Sequence, residues 1–283
     1  MFRCTIPEGV EVKLSADVIR PLVKDRIIES ISFPSTSRYS TESPDGFKEF
    51  NTYFSFQDKA LSCKIENIQN KGKFMYWTIK DDWYVFLTYG MTGQLSPQAG
   101  KHVCMKVILD DEPLRLYFND QRHFGTIKFV HGKKLLDNKL YELGWDPLQM
   151  PLAGNLPWLK MMINRSNKTI AEILMDQTIF SGVGNYIKSE SLYKAKISPW
   201  RFGKDFSDID IENLCKSIVE VMNESYQHQG ATILTYKTAY GENGKYSGCF
   251  QVYGRKKDLF GNAVSTETTP DKRTTHWCPA LQK

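Results

Sequence analysis

Apolar positions change their period along this chain, and each change marks an element. Val12, Leu14, Val18, Ile19 and Leu22 fall at helical spacing, so residues 11 to 24 predict an amphipathic helix led in by Pro7-Glu8-Gly9. After a Ser/Thr-rich loop near residues 34 to 45 the period shortens to that of strands. Phe74 to Ile79 and Trp83 to Tyr89 flank Lys80-Asp81-Asp82 as one hairpin, and Val103 to Leu109 and Leu114 to Phe118 flank Asp110-Asp111-Glu112-Pro113 as another. A sandwich or barrel of antiparallel strands is the natural outcome. Residues 132 to 158 carry Gly, Asp and three prolines (Pro147, Pro151, Pro157) and read as the crossing between domains. From Leu156 to about Gly230 the period is helical, over Leu159 to Ile163, Ile170 to Met175, Tyr186 to Ile197 and Ile209 to His228. The final stretch, Phe250 to Tyr253 and then Asn262 to Trp277 around Thr269-Pro270-Asp271, predicts strands forming a small basic hairpin. The expected class is α+β.

Composition narrows the setting. With 283 residues, 41% hydrophobic and 13% aromatic, the chain can bury a real core, and its length points to two domains. The longest apolar runs, such as Trp83 to Tyr89, are too short to cross a bilayer, and the N-terminus lacks the apolar core of a signal peptide. The expectation is an intracellular protein of nucleus or cytoplasm, a viral factory or virion included, without a membrane partner. Six scattered cysteines without a Cys-x-x-Cys pair argue against a disulfide framework and a four-thiolate zinc site. The net charge of +5 is modest, but Ala231 to Lys283 holds eight basic residues against four acids. That excess could meet phosphates, or simply be a solvated basic tail.

Two segments carry candidate chemistry. In Pro7-Glu8-Gly9-Val10-Glu11, a proline at a true amino terminus would be a secondary amine and a nucleophile, whereas inside a chain the same nitrogen is a tertiary amide. Alone, the stretch reads as a turn before a helix. In Asp176 to Leu192, Gly182 and Gly184 allow a tight turn and close approach to another molecule, and Asn185 is placed to cap the following helix. A phosphate would suit that helix N-terminus. Taken as a whole, this run resembles the helix-two-turn-helix of the formamidopyrimidine-DNA glycosylase and endonuclease VIII (Fpg/Nei) family.

The resemblance recurs in order along nearly the whole chain. Pro7-Glu8-Gly9-x-Glu11 looks like the family's catalytic start, and Lys71-Gly72-Lys73-Phe74 like the hairpin with its essential lysine. Tyr89-Gly90-Met91-Thr92-Gly93 and Asp120-Gln121-Arg122-His123-Phe124-Gly125 resemble the loops that enter the duplex, and Lys101-His102 a phosphate-contacting position. Gln251 to Lys256 and Arg273 to Pro279 are similar to parts of the family's zinc finger, but three of the four ligand positions are missing and Cys278 stands alone. A hairpin held by packing, a "zincless finger", is therefore expected, as in the Nei-like branch of animals, plants and giant viruses.

The resemblance implies an N-terminal antiparallel β-sandwich over residues 1–132, a linker over 133–158, a helix-two-turn-helix domain over 159–248 and the finger over 249–283. It implies Pro7, Glu8 and Lys73 as catalytic residues, and His102, Asn185 and Arg273 as phosphate clamps, Arg273 from an exposed hairpin position. Met91, Arg122 and Phe124 would fill the space left by a flipped base. A packed Met91 and Phe124, a solvated Lys73 and a structural His102 are the plainer alternatives. The activity implied is bifunctional: excision of oxidised bases, pyrimidines favoured, then lyase cleavage through a proline iminium and β/δ-elimination. No metal or organic cofactor is implied, and the partner is damaged or abasic double-stranded DNA, with single-stranded DNA a further candidate, bound by a monomer. Two other readings stay open: a silent damage-binding protein with Pro7 blocked by residues 1–6, and a non-repair binder sharing only the helix-two-turn-helix. Ile6 occupies the slot of the family's initiator methionine, so the active form is expected to begin at Pro7.

Overall fold

The computed structural model describes residues 7–55, 62–110, 114–231 and 244–283. These group into two compact units, one gathering residues 11–142 and the other residues 7–10, 143–231 and 244–283. α1 (Gly9–Val23) thus has its first two residues in the second unit and the remainder in the first.

The first unit contains β1 (Ile28–Ser32), α2 (Phe47–Phe54), β2 (Ile65–Lys71), β3 (Phe74–Ile79), β4 (Trp83–Thr88), β5 (Gly93–Ser96), β6 (Val103–Leu109), β7 (Arg115–Asp120), β8 (Thr126–His131) and α3 (Lys133–Glu142). Its strands form two four-stranded antiparallel sheets, ordered β1-β6-β7-β5 and β2-β3-β4-β8. Trp77, Leu87 and Phe129 from one sheet share a single core with Met105, Val107 and Phe118 from the other, joined by Val12, Ile19, Phe50 and Phe54 from the helices. The predicted β3-β4 hairpin forms with Ile79 opposite Trp83, and Asp81 (φ 60°) and Asp82 (φ 57°) take the left-handed turn that Asp tolerates. The tip of the β6-β7 hairpin, residues 111–113, lies outside the described residues.

The second unit contains α4 (Leu152–Asn164), α5 (Ile170–Met175), α6 (Asn185–Ala195), α7 (Asp208–Gln227) and the hairpin of β9 (Ser265–Thr268) with β10 (Thr274–Trp277). α6 is its spine: every residue from Tyr186 to Tyr193 is buried. Two sequence expectations change here. Residues 132–158 are not a plain linker, since they hold α3 and the first turns of α4, with Pro151 as N-cap and Pro157 inside the helix. Phe250 to Tyr253 forms no strand, because the N–H groups of Gln251, Val252 and Tyr253 all donate to the Glu190 carboxylate on α6, at 2.8, 3.0 and 2.8 Å. A ladder would need those same donors. Among the described residues no helix is long and apolar enough to cross a membrane.

Candidate active site

Pro7 and Glu8 are buried, Glu8 with only 2% of its surface exposed. The N–H of Tyr186 donates to Glu8 Oε1 at 2.9 Å and that of Ile187 to Oε2 at 3.3 Å. These are orphan donors of the first turn of α6, where the helix dipole favours an anion. The N–H groups of Tyr186 and Ile187 at this helix start are thus met by the protein's own carboxylate. Glycine makes the seat possible: a Cβ on Gly184 would lie 2.2 Å from Glu8 Cδ. Likewise Gly9 donates its N–H to Gly182 O at 2.8 Å, and a Cβ on Gly9 would lie 2.7 Å from Gly182 Cα. The close approach predicted for the Gly-x-Gly turn is made to the Pro7-Glu8-Gly9 segment.

Asn185 does not cap α6. Gly184 is the N-cap, and Asn185, the first helical residue, donates its amide to Thr274 O at 2.8 Å while its Oδ1 is buried without a partner. One turn on, Lys188 is fully buried and donates to Asp271 Oδ2 at 2.6 Å. Burial pushes the Lys188 ammonium below its ordinary pKa, the Asp271 and Glu8 carboxylates oppose that, and Arg273 adds to it. Asp271 Oδ1 in turn accepts from the Thr269 hydroxyl at 2.5 Å and from the Arg273 N–H at 3.4 Å. Arg273 itself is half-buried, not exposed as expected. Glu8, Lys188, Asp271 and Arg273 thus interact within one unit. Lys188 and Asp271 did not stand out in the sequence. The available signal was a lysine set among Tyr186, Ile187 and Leu192 on a helix with no exposed face.

The other predicted residues belong to the first unit. Lys73 is half-buried in the two-residue turn joining β2 and β3, where Gly72 supplies the positive φ of 55°. His102 is exposed in the turn before β6. The loops of residues 89–93 and 120–125 are locked together by Asp120, which is 1% exposed. Its carboxylate accepts from the Thr92 hydroxyl, from the Arg122 N–H at 3.2 Å and from the Gly125 N–H at 2.7 Å. A Cβ on Gly90 would lie 2.6 Å from the Phe124 carbonyl carbon, so only glycine lets the Met91 loop pass the Phe124 loop. Arg38 braces the second loop by donating to His123 O at 2.9 Å and Gly125 O at 2.7 Å. What emerges to solvent is Phe124, 54% exposed, with the Arg122 guanidinium 5.1 Å from its ring centre, while Met91, next to Gly90, is half-buried. An exposed phenylalanine on a braced loop is not a core residue.

The residues of the C-terminal hairpin do not fit a zinc ion. Among the described residues no three His, Cys, Asp or Glu side chains converge as metal ligands. Cys278 is fully buried and packs in a cluster with Tyr193 and Val252, flanked by Val264 and Leu281. Its N–H donates to Gln282 Oε1 at 2.6 Å, and Gln282 donates onward to Ile197 O at 2.8 Å. The loop before β9 is held by Asp258, which accepts from Tyr193 Oη, from Asn262 Nδ2 and from the N–H groups of Phe260 and Asn262 at 2.8 to 3.1 Å.

Comparison with known proteins covers nearly the whole chain. The N-terminal domain of formamidopyrimidine-DNA glycosylase matches residues 6–127, its H2TH domain residues 143–237 and its C-terminal domain residues 247–283. The formamidopyrimidine-DNA glycosylase of Prochlorococcus marinus (strain MIT 9301) is 30% identical over 293 residues, covering 99% of this chain and 97% of its own. The crystal structure of the MutM (Fpg) protein from Thermus thermophilus is similar with a TM-score of 0.81 at 26% identity, covering 98% of both chains. A mutant of LlFpg, the Fpg protein of Lactococcus lactis, solved in complex with THF-containing DNA, has a TM-score of 0.83 at 25% identity, covering 98% of this chain and 100% of that one.

Proposed function

Since the chain belongs to the formamidopyrimidine-DNA glycosylase family of DNA-repair enzymes, we propose that it is a bifunctional glycosylase and abasic-site lyase using Pro7 as nucleophile and Glu8 as acid/base. The observation that carries this is the seat of Glu8: a carboxylate buried at the start of α6 by two N–H donors and two close-packed glycines, directly after Pro7. A carboxylate so placed is preorganised for proton transfer. In the first step the Pro7 nitrogen bonds to the anomeric carbon, and the glycosidic bond breaks with its electrons leaving on the base, which takes up a proton. The Glu8 carboxylate takes the proton from the alkylated Pro7 nitrogen and delivers it to the sugar ring oxygen as the bond from that oxygen to the anomeric carbon breaks, giving an iminium. The iminium is an electron sink, so loss of a C2′ proton expels the 3′-phosphate, and a second elimination expels the 5′-phosphate. Met91, Arg122 and Phe124 would fill the vacated stack, with Lys73, His102, Asn185 and Arg273 on phosphates. The first unit's braced Phe124 loop supports the filling role.

This chemistry needs the Pro7 nitrogen as an amine, so the active species is a chain whose first residue is Pro7. The family match beginning at residue 6 is in keeping with that; residues 1–6 themselves lie outside the described residues. The test is borohydride trapping on an abasic duplex, with the adduct mapped by peptide mass. A chain starting at Pro7 should be trapped on Pro7, and one retaining the preceding residues should give little adduct. Equal trapping of both, mapped to Lys73, would move the nucleophile to that lysine.

A further inference from the structure

We infer that Lys188 is a positioning residue: its buried ammonium, bonded to Asp271, fixes the Thr269–Arg273 turn against the start of α6 and keeps the Arg273 guanidinium available to a DNA phosphate. The inference rests on the repair reading for its ligand, but its geometry stands within one unit. Both oxygens of Asp271 are engaged, one by Lys188 at 2.6 Å and the other by Thr269 Oγ1 and the Arg273 N–H. Lys272 between them takes a left-handed φ of 61°, so the turn is held in a shape that its sequence alone would not favour. A second tie, Asn185 Nδ2 to Thr274 O, fastens the strand that follows.

A fully buried ion pair is a weak source of stability, because desolvation offsets its attraction and an apolar pair of equal volume serves as well. Its value here lies in charge allocation. Asp271 sits two residues from Arg273 and would compete with phosphate for the guanidinium if its charge were not already met. Lys188 meets it, and at the same time faces the Glu8 carboxylate seated one turn earlier on the same helix.

The test uses the full chain beginning at Pro7 and a duplex carrying a tetrahydrofuran abasic analogue. Lys188→Met should weaken duplex binding about 10- to 100-fold, the scale of one charge-assisted contact. In an Arg273→Ala background the same change should add less than about twofold, because the residue acts through Arg273. Since Lys188→Met strands a buried carboxylate and can impair folding, the neutral pair Lys188→Met/Asp271→Asn serves as the second variant. It should recover the melting temperature yet show faster amide exchange across residues 268–275. Additive losses in the two backgrounds, or unchanged exchange in that segment, would overturn the inference. Should the unsubstituted chain bind no duplex, the repair reading fails, while faster exchange in 268–275 still supports the positioning role.

Discussion

Gly184 has no side chain because Glu8 needs its place. A methyl group there would fall 2.2 Å from Glu8 Cδ, so Gly184→Ala must expel the carboxylate or displace the helix start. The expected cost is about 1 to 3 kcal/mol of stability for overpacking and at least ~100-fold in excision rate for lost acid/base catalysis. Thermal unfolding beside single-turnover excision measures both; a variant of unchanged rate would remove Glu8 from the mechanism. The Pro7-Glu8 motif itself was legible in the sequence. Its seat was not, because Glu8 and Tyr186 are 178 positions apart and no local pattern encodes which anion a helix start will receive. For the same reason Lys188 read as an ordinary helical lysine, and Asp120 as part of a loop instead of the carboxylate that locks two loops.

Elements were the most readable level. The helical period located α1, α4, α5, α6 and α7, and alternation located the β3-β4 hairpin. The failures have local causes: Phe250 to Tyr253 is apolar enough for a strand but spends its N–H groups on Glu190, and Pro157 masks a helix that forms around it. α7 offers a pH test of how its start is held. Ser207 Oγ accepts from Asp210 N at 3.3 Å, while Asp210 Oδ2 accepts from the Ser207 N–H at 3.0 Å and from Arg201 at 2.7 Å. Burial raises the Asp210 pKa, but the bonds from Ser207 and Arg201 outweigh it and hold the carboxyl below its ordinary 3.8. A depressed folded pKa adds stability that is present above the unfolded value and lost as pH falls through the folded one. Asp210→Asn should therefore cost about 1 kcal/mol near neutral pH, and the difference from the parent should shrink below about pH 3.8. A constant difference from pH 7 to 2 in denaturant titrations would refute this account of the cap.

At the scale of the whole molecule, the pattern of apolar positions predicts an α+β class, and two four-stranded antiparallel sheets together with a helical unit match it. Lesion choice is a property of this scale, since it depends on how a flipped base is enclosed. The relatives are named for formamidopyrimidine, whereas the zincless resemblance favours oxidised pyrimidines. Faster excision of thymine glycol or dihydrouracil than of 8-oxoguanine opposite cytosine is the expected order; equal or reversed rates would discard it.

The hairpin held by Asp258 and a packed Cys278 has a consequence for survival under oxidative stress. A thiolate metal finger fails when peroxide converts its sulfurs to sulfenic acid or disulfide, because the ligands are then lost. Here the loop is organised by a carboxylate and the Cys278 sulfur is wrapped in apolar side chains, while Cys249 is the exposed thiol among the described cysteines. Peroxide should modify Cys249 first and leave duplex affinity within about twofold of the untreated protein, a change of the size expected for an independent surface site. Mass mapping with a binding titration after graded peroxide would read both. A hairpin held this way keeps its shape through oxidant surges that would strip a thiolate finger of its metal.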